Sequence, residues 1–467
     1  MIEAAIIVFL LTGFSLFIQE IFKIPSPMTL VGFVIVTKVL GLDFIHVDEK
    51  MFDQIIILML PILISVDAMQ LKISELKAHA FSLFYLAFAA VALSILACVL
   101  LNSFILPDYN LSTPALVALF CMVMATDPIA VSAVFGNFKV PHALKIKAEG
   151  ESLFNDATAL IIFGIALNYM STGGAIDPVA LAINGFMVVV GAVIIGAFIG
   201  FVGLYLMSVT KTPAVKTSIM MSIAYISYLG AEHFHWSGIL STIISVLITS
   251  HVINKRIEKD ERIIGWTEHS SPKRLQKLMH RFNDAVVDRV NHQSIVQNIG
   301  FLAAFGSTIL FISMADLINL DKIKQFWDEI LAVFIATTVI RLAVMSKFSL
   351  IAGKVRYSHK MSFHWWLVLS SAGVKGGISI LMLHMLPKNF EHKDLFEAVV
   401  VGVVLLSTFI YPLVLMAVMK IFSRKFERDC LEEERLHGHH AAIHDSGVEP
   451  ADAEDAIEKA SLSAPQA

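Results

Sequence analysis

From its start to about residue 424 the chain is a succession of apolar runs, each about 20 residues long. A helix needs about 20 apolar residues to cross the roughly 30 Å hydrocarbon layer of a bilayer. Inside lipid every backbone N–H and C=O must be satisfied within the protein, so only helices and closed barrels span it. The runs are continuous rather than alternating, which excludes an outer-membrane barrel. Composition agrees, with 57% of the 467 residues hydrophobic and 16% charged, against about 25% charged in soluble domains. The sequence therefore reads as an all-α polytopic membrane protein.

Thirteen spans are expected, at 2–22, 27–42, 51–71, 79–106, 114–136, 148–170, 177–208, 213–231, 236–253, 295–318, 326–350, 362–387 and 395–422. Glu3 precedes the first run in place of a basic region, so that run reads as a true span and not a cleaved signal. The polar stretch 254–294 is expected to be a cytoplasmic loop. Its segment from Arg274 to Val286 fits either an amphipathic helix on the inner membrane surface or a solvated connector. The tail 425–467, rich in Glu, His and Ala, is expected to be largely disordered. An odd number of spans puts the two ends on opposite faces. With the C-terminus in the cytoplasm, 27 of the 35 Lys and Arg lie inside and six outside, while Arg341 and Lys375 fall within spans. The positive-inside rule favours that orientation. The chain is thus expected in a bacterial inner (cell) membrane, N-terminus outside. Cys98, Cys121 and Cys430 suggest neither a disulfide framework nor a metal cluster.

Charge at mid-membrane is expensive, at roughly 2.5–3.5 kcal/mol or more per group, and usually faces a partner or an aqueous cavity. Six such groups occur: Asp67, Asp127, Glu151, Asp156, Arg341 and Lys375. Four acids and two bases do not cancel. At least one acid must therefore hold a proton or a cation part of the time.

Two spans carry helix breakers at that depth. The fifth reads Thr126-Asp127-Pro128, where proline removes a donor and clashes with the preceding turn. The twelfth reads Gly373-Val374-Lys375-Gly376-Gly377. If the seventh span links two six-helix repeats, each break falls in the fifth helix of its repeat, as in inverted-repeat transporters. Asp127 and Lys375 have signs suited to offset half-helix dipoles facing each other. The simpler readings, a proline kink and close glycine packing, leave the two charges unexplained.

The sixth span carries Glu151-Ser152-Leu153-Phe154-Asn155-Asp156. Ser152 and Asp156 share one helical face, and Glu151 and Asn155 the neighbouring stripe. A hydroxyl and a carboxylate one turn apart are hard oxygen ligands suited to a small hard cation. Glu151 is expected to form a structural ion pair with Arg341.

At these residues the sequence resembles the cation/proton antiporter superfamily, specifically the NhaP-type sodium/proton exchangers that are similar to the eukaryotic exchangers. The resemblance rests on Glu151 to Ala157, on Thr126-Asp127-Pro128, on Arg341 with its following apolar run, on Gly373 to Gly376, and on Lys23-Ile24-Pro25-Ser26-Pro27 leading into Gly32. It implies an NhaA-like fold of two inverted six-helix repeats with two crossed, broken helices. A core at about 79–170 and 326–422 would sit beside a dimerisation scaffold. It also implies that Asp156 carries the exchanged cation or proton, with Ser152, Thr126 and Asn155 around it and Glu151 paired with Arg341. Two departures stand out. Lys375 takes the place of a family arginine, losing the bidentate fork. Asp67 sits one position later than the family's acid, which weakens its case as a ligand.

One acid cannot hold a proton and a metal ion together, so competition at Asp156 yields exchange. With Asn155 neutral, the exchange is expected to be electroneutral. Partners are then sodium or another alkali cation, protons, membrane lipid and a second copy of the chain. No nucleic acid, no cofactor and no enzymatic chemistry are indicated. A potassium/proton antiporter, a cation channel and a non-transporting scaffold stay open as alternatives. His437, His439, His440 and His444 are a weak metal-binding pattern, and His384 reads as a packed structural histidine more than a pH-responsive group.

Overall fold

The computed structural model describes residues 2–41, 49–172, 178–210, 212–265, 272–313, 318–352, 361–387 and 389–445. Among them there is no strand. The helices run α1 (Ile2–Phe22), α2 (Ser26–Val39), α3 (Glu49–Gln70), α4 (Ile73–Ala78), α5 (Ala80–Phe84), α6 (Ala90–Leu100), α7 (Asn102–Ile105), α8 (Thr113–Met124), α9 (Pro128–Phe135), α10 (His142–Thr172), α11 (Pro178–Val209), α12 (Pro213–His233), α13 (Gly238–Gly265), α14 (Pro272–Ser313), α15 (Leu320–Gln325), α16 (Trp327–Ala352), α17 (Phe363–Ser371), α18 (Gly377–His384), α19 (Lys393–Ile421) and α20 (Ser423–Asp445). A π-helical turn, Tyr85–Ala89, joins α5 to α6. Eight segments of the described residues are long and apolar enough to cross a membrane, and three shorter apolar helices accompany them.

Packing follows from the side chains each helix offers. One buried cluster gathers α6, α8, α9, α10 and α16 to α19 around residues such as Phe120, Phe163, Phe348 and Phe396. A second joins α3 and α11 to α14 through Leu60, Met220, Ile243 and Ile299, and takes in Leu153 and Ala157 of α10. Small residues let α11 and α13 approach closely, as is common between membrane helices. A Cβ on Gly196 would stand 2.5 Å from the Ser241 carbonyl oxygen, and one on Gly200 2.9 Å from that of Ser245. The outward faces of α1 and α11 expose Phe9, Phe14, Phe17, Phe186, Phe198 and Phe201, the surface expected of an integral membrane protein.

Three stretches take a form that the sequence left open or read otherwise. The stretch 254–294 is mostly helix, because α13 continues to Gly265 and α14 begins at Pro272. Its only breakers are that glycine and that proline, and each stands at a helix end. Residues 266–271 lie outside the described residues. The tail is helical over 423–445, contrary to the expected disorder. Phe426, Asp429 and Glu433 lie near one face of α20 and dock it. Phe426 is fully buried, and Asp429 Oδ2 accepts from Trp365 Nε1 at 2.8 Å and lies 2.7 Å from His364 Nε2. Glu433 accepts from the N–H groups of His142 and Ala143 at 2.7 and 2.9 Å, capping α10. Residues 446–467 and the side chains of His437, His439, His440 and His444 lie outside what is described. Finally, α10 starts at His142, so Lys145 and Lys147 belong to it and not to a loop. Lys147 is fully buried, its Nζ 5.3 Å from the Trp365 ring centre.

Candidate functional site

The site is made where two helices stop. Ser112 starts α8 by accepting from the Ala115 N–H at 3.4 Å. The helix ends at Met124, and the chain turns extended through Ala125 (φ −57°, ψ 139°) to Asp127 (φ −103°, ψ 117°). A residue before proline is pushed out of the helical region, and Pro128 then opens α9. Asp127 Oδ1 accepts from the Ile129 N–H at 2.8 Å, so this carboxylate caps the half-helix it precedes. The partner break lies between α17 and α18, over Ala372 to Gly376.

The two breaks cross and touch. The Asp127 N–H donates to the Val374 carbonyl oxygen at 2.7 Å. A Cβ on Gly376 would fall 2.5 Å from that of Asp127, so only glycine admits this approach. Lys375 is 3% exposed and its N–H donates to Ser407 Oγ at 3.1 Å. It makes no ion pair with any described residue.

Against the crossing lies α10. Asp156 Oδ1 accepts from the Thr126 N–H at 2.9 Å, a donor freed by the break in α8. Asn155 Nδ2 donates to the Met124 carbonyl at 3.2 Å and to Thr126 Oγ1 at 3.0 Å. Thr126 Oγ1 in turn donates to Ser152 Oγ at 3.1 Å. Glu151 and Arg341 form the expected pair at 2.8 Å. Arg341 also donates to the carbonyls of Leu369 and Ser370 at 2.9 and 3.2 Å, near the end of α17. Gly373 makes room for it, since a Cβ there would stand 2.8 Å from Arg341 Nε.

A cavity of about 50 Å³ opens beside these groups, lined by Asp67, Thr126, Asp127 and Asp156 among apolar residues including Leu60 and Ile64. The structure thus brings Asp67 of α3 to the same cavity as Asp156 of α10, despite its offset in sequence. Asp156 gives one oxygen to the Thr126 N–H and accepts no other hydrogen bond from the described residues. Three carboxylates and a hydroxyl around a small cavity can hold a hard cation, or a proton on one acid, and little else.

Sequence reasoning missed Glu149. It accepts from Ser132 at 2.8 Å and lies 3.8 Å from Lys145 Nζ. It stands seven residues before Asp156, on the same face, and that spacing was the available signal. The buried Lys147 and the Asp429 contacts carried no comparable mark. His384 Nδ1 lies 3.1 Å from the Ile380 carbonyl oxygen of its own helix, a structural placement.

Comparison with known proteins decides the family. The model for "Sodium/hydrogen exchanger, transmembrane" matches residues 5–421. The chain belongs to the sodium/hydrogen exchanger family. Within this exchanger family, the Na(+)/H(+) antiporter ApNhaP of Aphanothece halophytica is 26% identical over 87% of this chain and 72% of its own length. Na(+)/H(+) exchanger protein 7 of Caenorhabditis elegans is 25% identical over 66% of this chain, which spans only 36% of that longer protein. The structure of the sodium proton antiporter MjNhaP1 from Methanocaldococcus jannaschii has the same fold, with a TM-score of 0.64, 14% identity, and coverage of 91% of this chain and 98% of that one. The all-helical antiporter fold, with its crossed broken helices, is thereby the exchanger fold expected from the resemblance.

Proposed function

We propose that this chain is a secondary active transporter that exchanges sodium for protons across a bacterial inner (cell) membrane, electroneutrally, by competition at Asp156. The observation that carries this reading is the half-engaged carboxylate: one Asp156 oxygen holds the Thr126 N–H at 2.9 Å and the side chain lines the cavity. A buried carboxylate without a partner is costly, so either a proton or a metal ion must satisfy it. The two cannot bind at once, and that exclusion is the coupling.

In this reading Thr126 lines the cage, Ser152 and Asn155 hold its hydroxyl from behind, and Asp67 adds a carboxylate from α3. Asp127 is committed to capping α9, Glu151 and Arg341 neutralise each other, and Lys375 offsets the surplus of acid. With Asn155 uncharged, one monovalent cation replaces one proton. The cluster holding α8, α9 and α17 to α19 moves against the cluster of α3 and α11 to α14, exposing the cavity to each side in turn. The N-terminus lies outside and the C-terminus in the cytoplasm, with lipid against α1 and α11 and a second copy of the chain as partner.

The test is a proteoliposome assay with sodium, lithium and potassium supplied separately. Sodium should drive a pH change in the wild type, unaltered by voltage at fixed gradients, and the Asp156→Asn variant should fold and give none. Persistent sodium-driven pH change in that variant, or a net current during exchange, refutes the reading. A response to potassium alone would reassign the cation.

A further inference from the structure

α10 forms a wall of two cavities. Leu153 and Asp156 line the one described above, and Glu151 and Asn155 line a smaller one of about 20 Å³. Leu86, Ala90 and Ser94, at four-residue spacing on α6 and the π turn before it, face this second cavity, with Arg341 beside them. Single π turns inside helices are frequent at functional positions.

Asn155 is 2% exposed. Its Nδ2 is engaged by Met124 and Thr126, but its Oδ1 is buried and accepts from no described residue. Buried polar atoms are as a rule paired, with protein or with ordered water. The walls carry no net charge, since Glu151 and Arg341 pair at 2.8 Å, so they favour a neutral guest over an ion. One water needs roughly 10–15 Å³ and two to four polar partners. The cavity offers that room, with the amide oxygen, the Ser94 hydroxyl and the ion pair as partners.

We propose that this cavity is a water site, in which one ordered water anchored by Ser94 donates to Asn155 Oδ1, and that Ser94 is thereby a positioning residue for exchange. The water fixes the amide so that Nδ2 stays on Thr126 Oγ1. Thr126, accepting there, must pass its own proton to Ser152, so the direction of the whole chain is set at Thr126, the one of its members that lines the cation cavity. The functional half of this proposal rests on the reading of Asp156 given above, whereas the water itself does not.

Two measurements test it. In a map that resolves ordered water, density should lie within hydrogen-bond distance of Asn155 Oδ1 and Ser94 Oγ in the wild type. It should be absent in Ser94→Val, whose methyls fill the cavity. In proteoliposomes, Ser94→Ala should raise KM for sodium about five-fold, the scale of one hydrogen bond, with Vmax and Tm near wild type. A dry wild-type cavity overturns the proposal, as does an unchanged KM in both variants. So does a fall in Vmax and Tm without a KM change, which would make Ser94 a packing residue only. Should Asp156→Asn still exchange while the water is present, the Asp156 reading falls and the water site stands.

Discussion

The amide N–H of Asp127 donates to the carbonyl oxygen of Val374 at 2.7 Å, a backbone hydrogen bond between two interrupted helices far apart in sequence. Each break frees backbone groups that lipid cannot satisfy, and the crossing lets one break serve the other. Around it Asp127 caps α9, Asn155 takes the Met124 carbonyl, and Arg341 takes those of Leu369 and Ser370.

Gly376→Ala should therefore be severe. Its Cβ would stand 2.5 Å from Asp127 Cβ and 2.7 Å from Asp127 Oδ2, so the breaks must separate. The Gly376 backbone itself is extended (φ −137°, ψ −158°), which leaves the cost purely steric, at about 1–3 kcal/mol for overpacking. A lowered Tm in detergent with exchange reduced at least ten-fold is expected, and a variant with wild-type Tm and rate would show that the breaks tolerate separation.

The breaks and the ion pair were legible in the sequence because Pro128, the glycines at 373, 376 and 377, and a lone Arg341 violate the rules for apolar helices. Asp156 was legible for the same reason, as an acid where none belongs. Asp67 was harder, because which way it faces depends on how α3 is rotated past Pro61 and packed on α14, and neither follows from its own residues. The docked tail was illegible for a different reason. Its sequence is rich in charge and carries no regular apolar stripe, and the three anchors Phe426, Asp429 and Glu433 become a pattern only once the ends of α10 and α17 stand beside them.

Those anchors give a second prediction. Glu433→Ala removes the acceptor for two N–H groups at the start of α10, a capping loss of about 0.5–2 kcal/mol. Phe426→Ala empties a fully buried ring position, at about 3–5 kcal/mol. Tm should fall in that order, and protease cleavage within 423–445 should quicken in both. Equal Tm in all three proteins would mean the tail helix does not dock.

A third concerns pH at α4. His142 Nε2 lies 2.9 Å from Glu75 Oε1, and Lys72 Nζ 3.5 Å from it. Burial pushes Glu75 up, but the hydrogen bond and charge of His142 and the charge of Lys72 outweigh it and hold it below the usual carboxylate range. A group lowered on folding stabilises fully above its unfolded value and loses that contribution as pH falls through its folded value. The contact should thus add under about 1 kcal/mol at neutral pH and nothing in strong acid. The Tm difference between wild type and Glu75→Gln should shrink as pH drops below the carboxylate range, and a difference that widens there would contradict this account.

The last prediction concerns Glu151 and Arg341, paired at 2.8 Å with the carboxylate 2% and the guanidinium 12% exposed. Removing one partner leaves a buried charge unpaired, at about 3–5 kcal/mol, while removing both together is often close to neutral. Arg341→Gln and Glu151→Gln should each lower Tm sharply, with Arg341→Gln the worse because the carbonyls of Leu369 and Ser370 also lose their donor. The double variant should recover most of the Glu151 loss. It should not recover the carbonyl loss, so its Tm belongs between the wild type and the better single variant. Strict additivity of the two single effects would mean that the pair does not interact in the folded protein. Arg341→Lys separates the two roles: it keeps one charge for Glu151 but cannot serve the carboxylate and both carbonyls with a planar fork, so it should fall between wild type and Arg341→Gln.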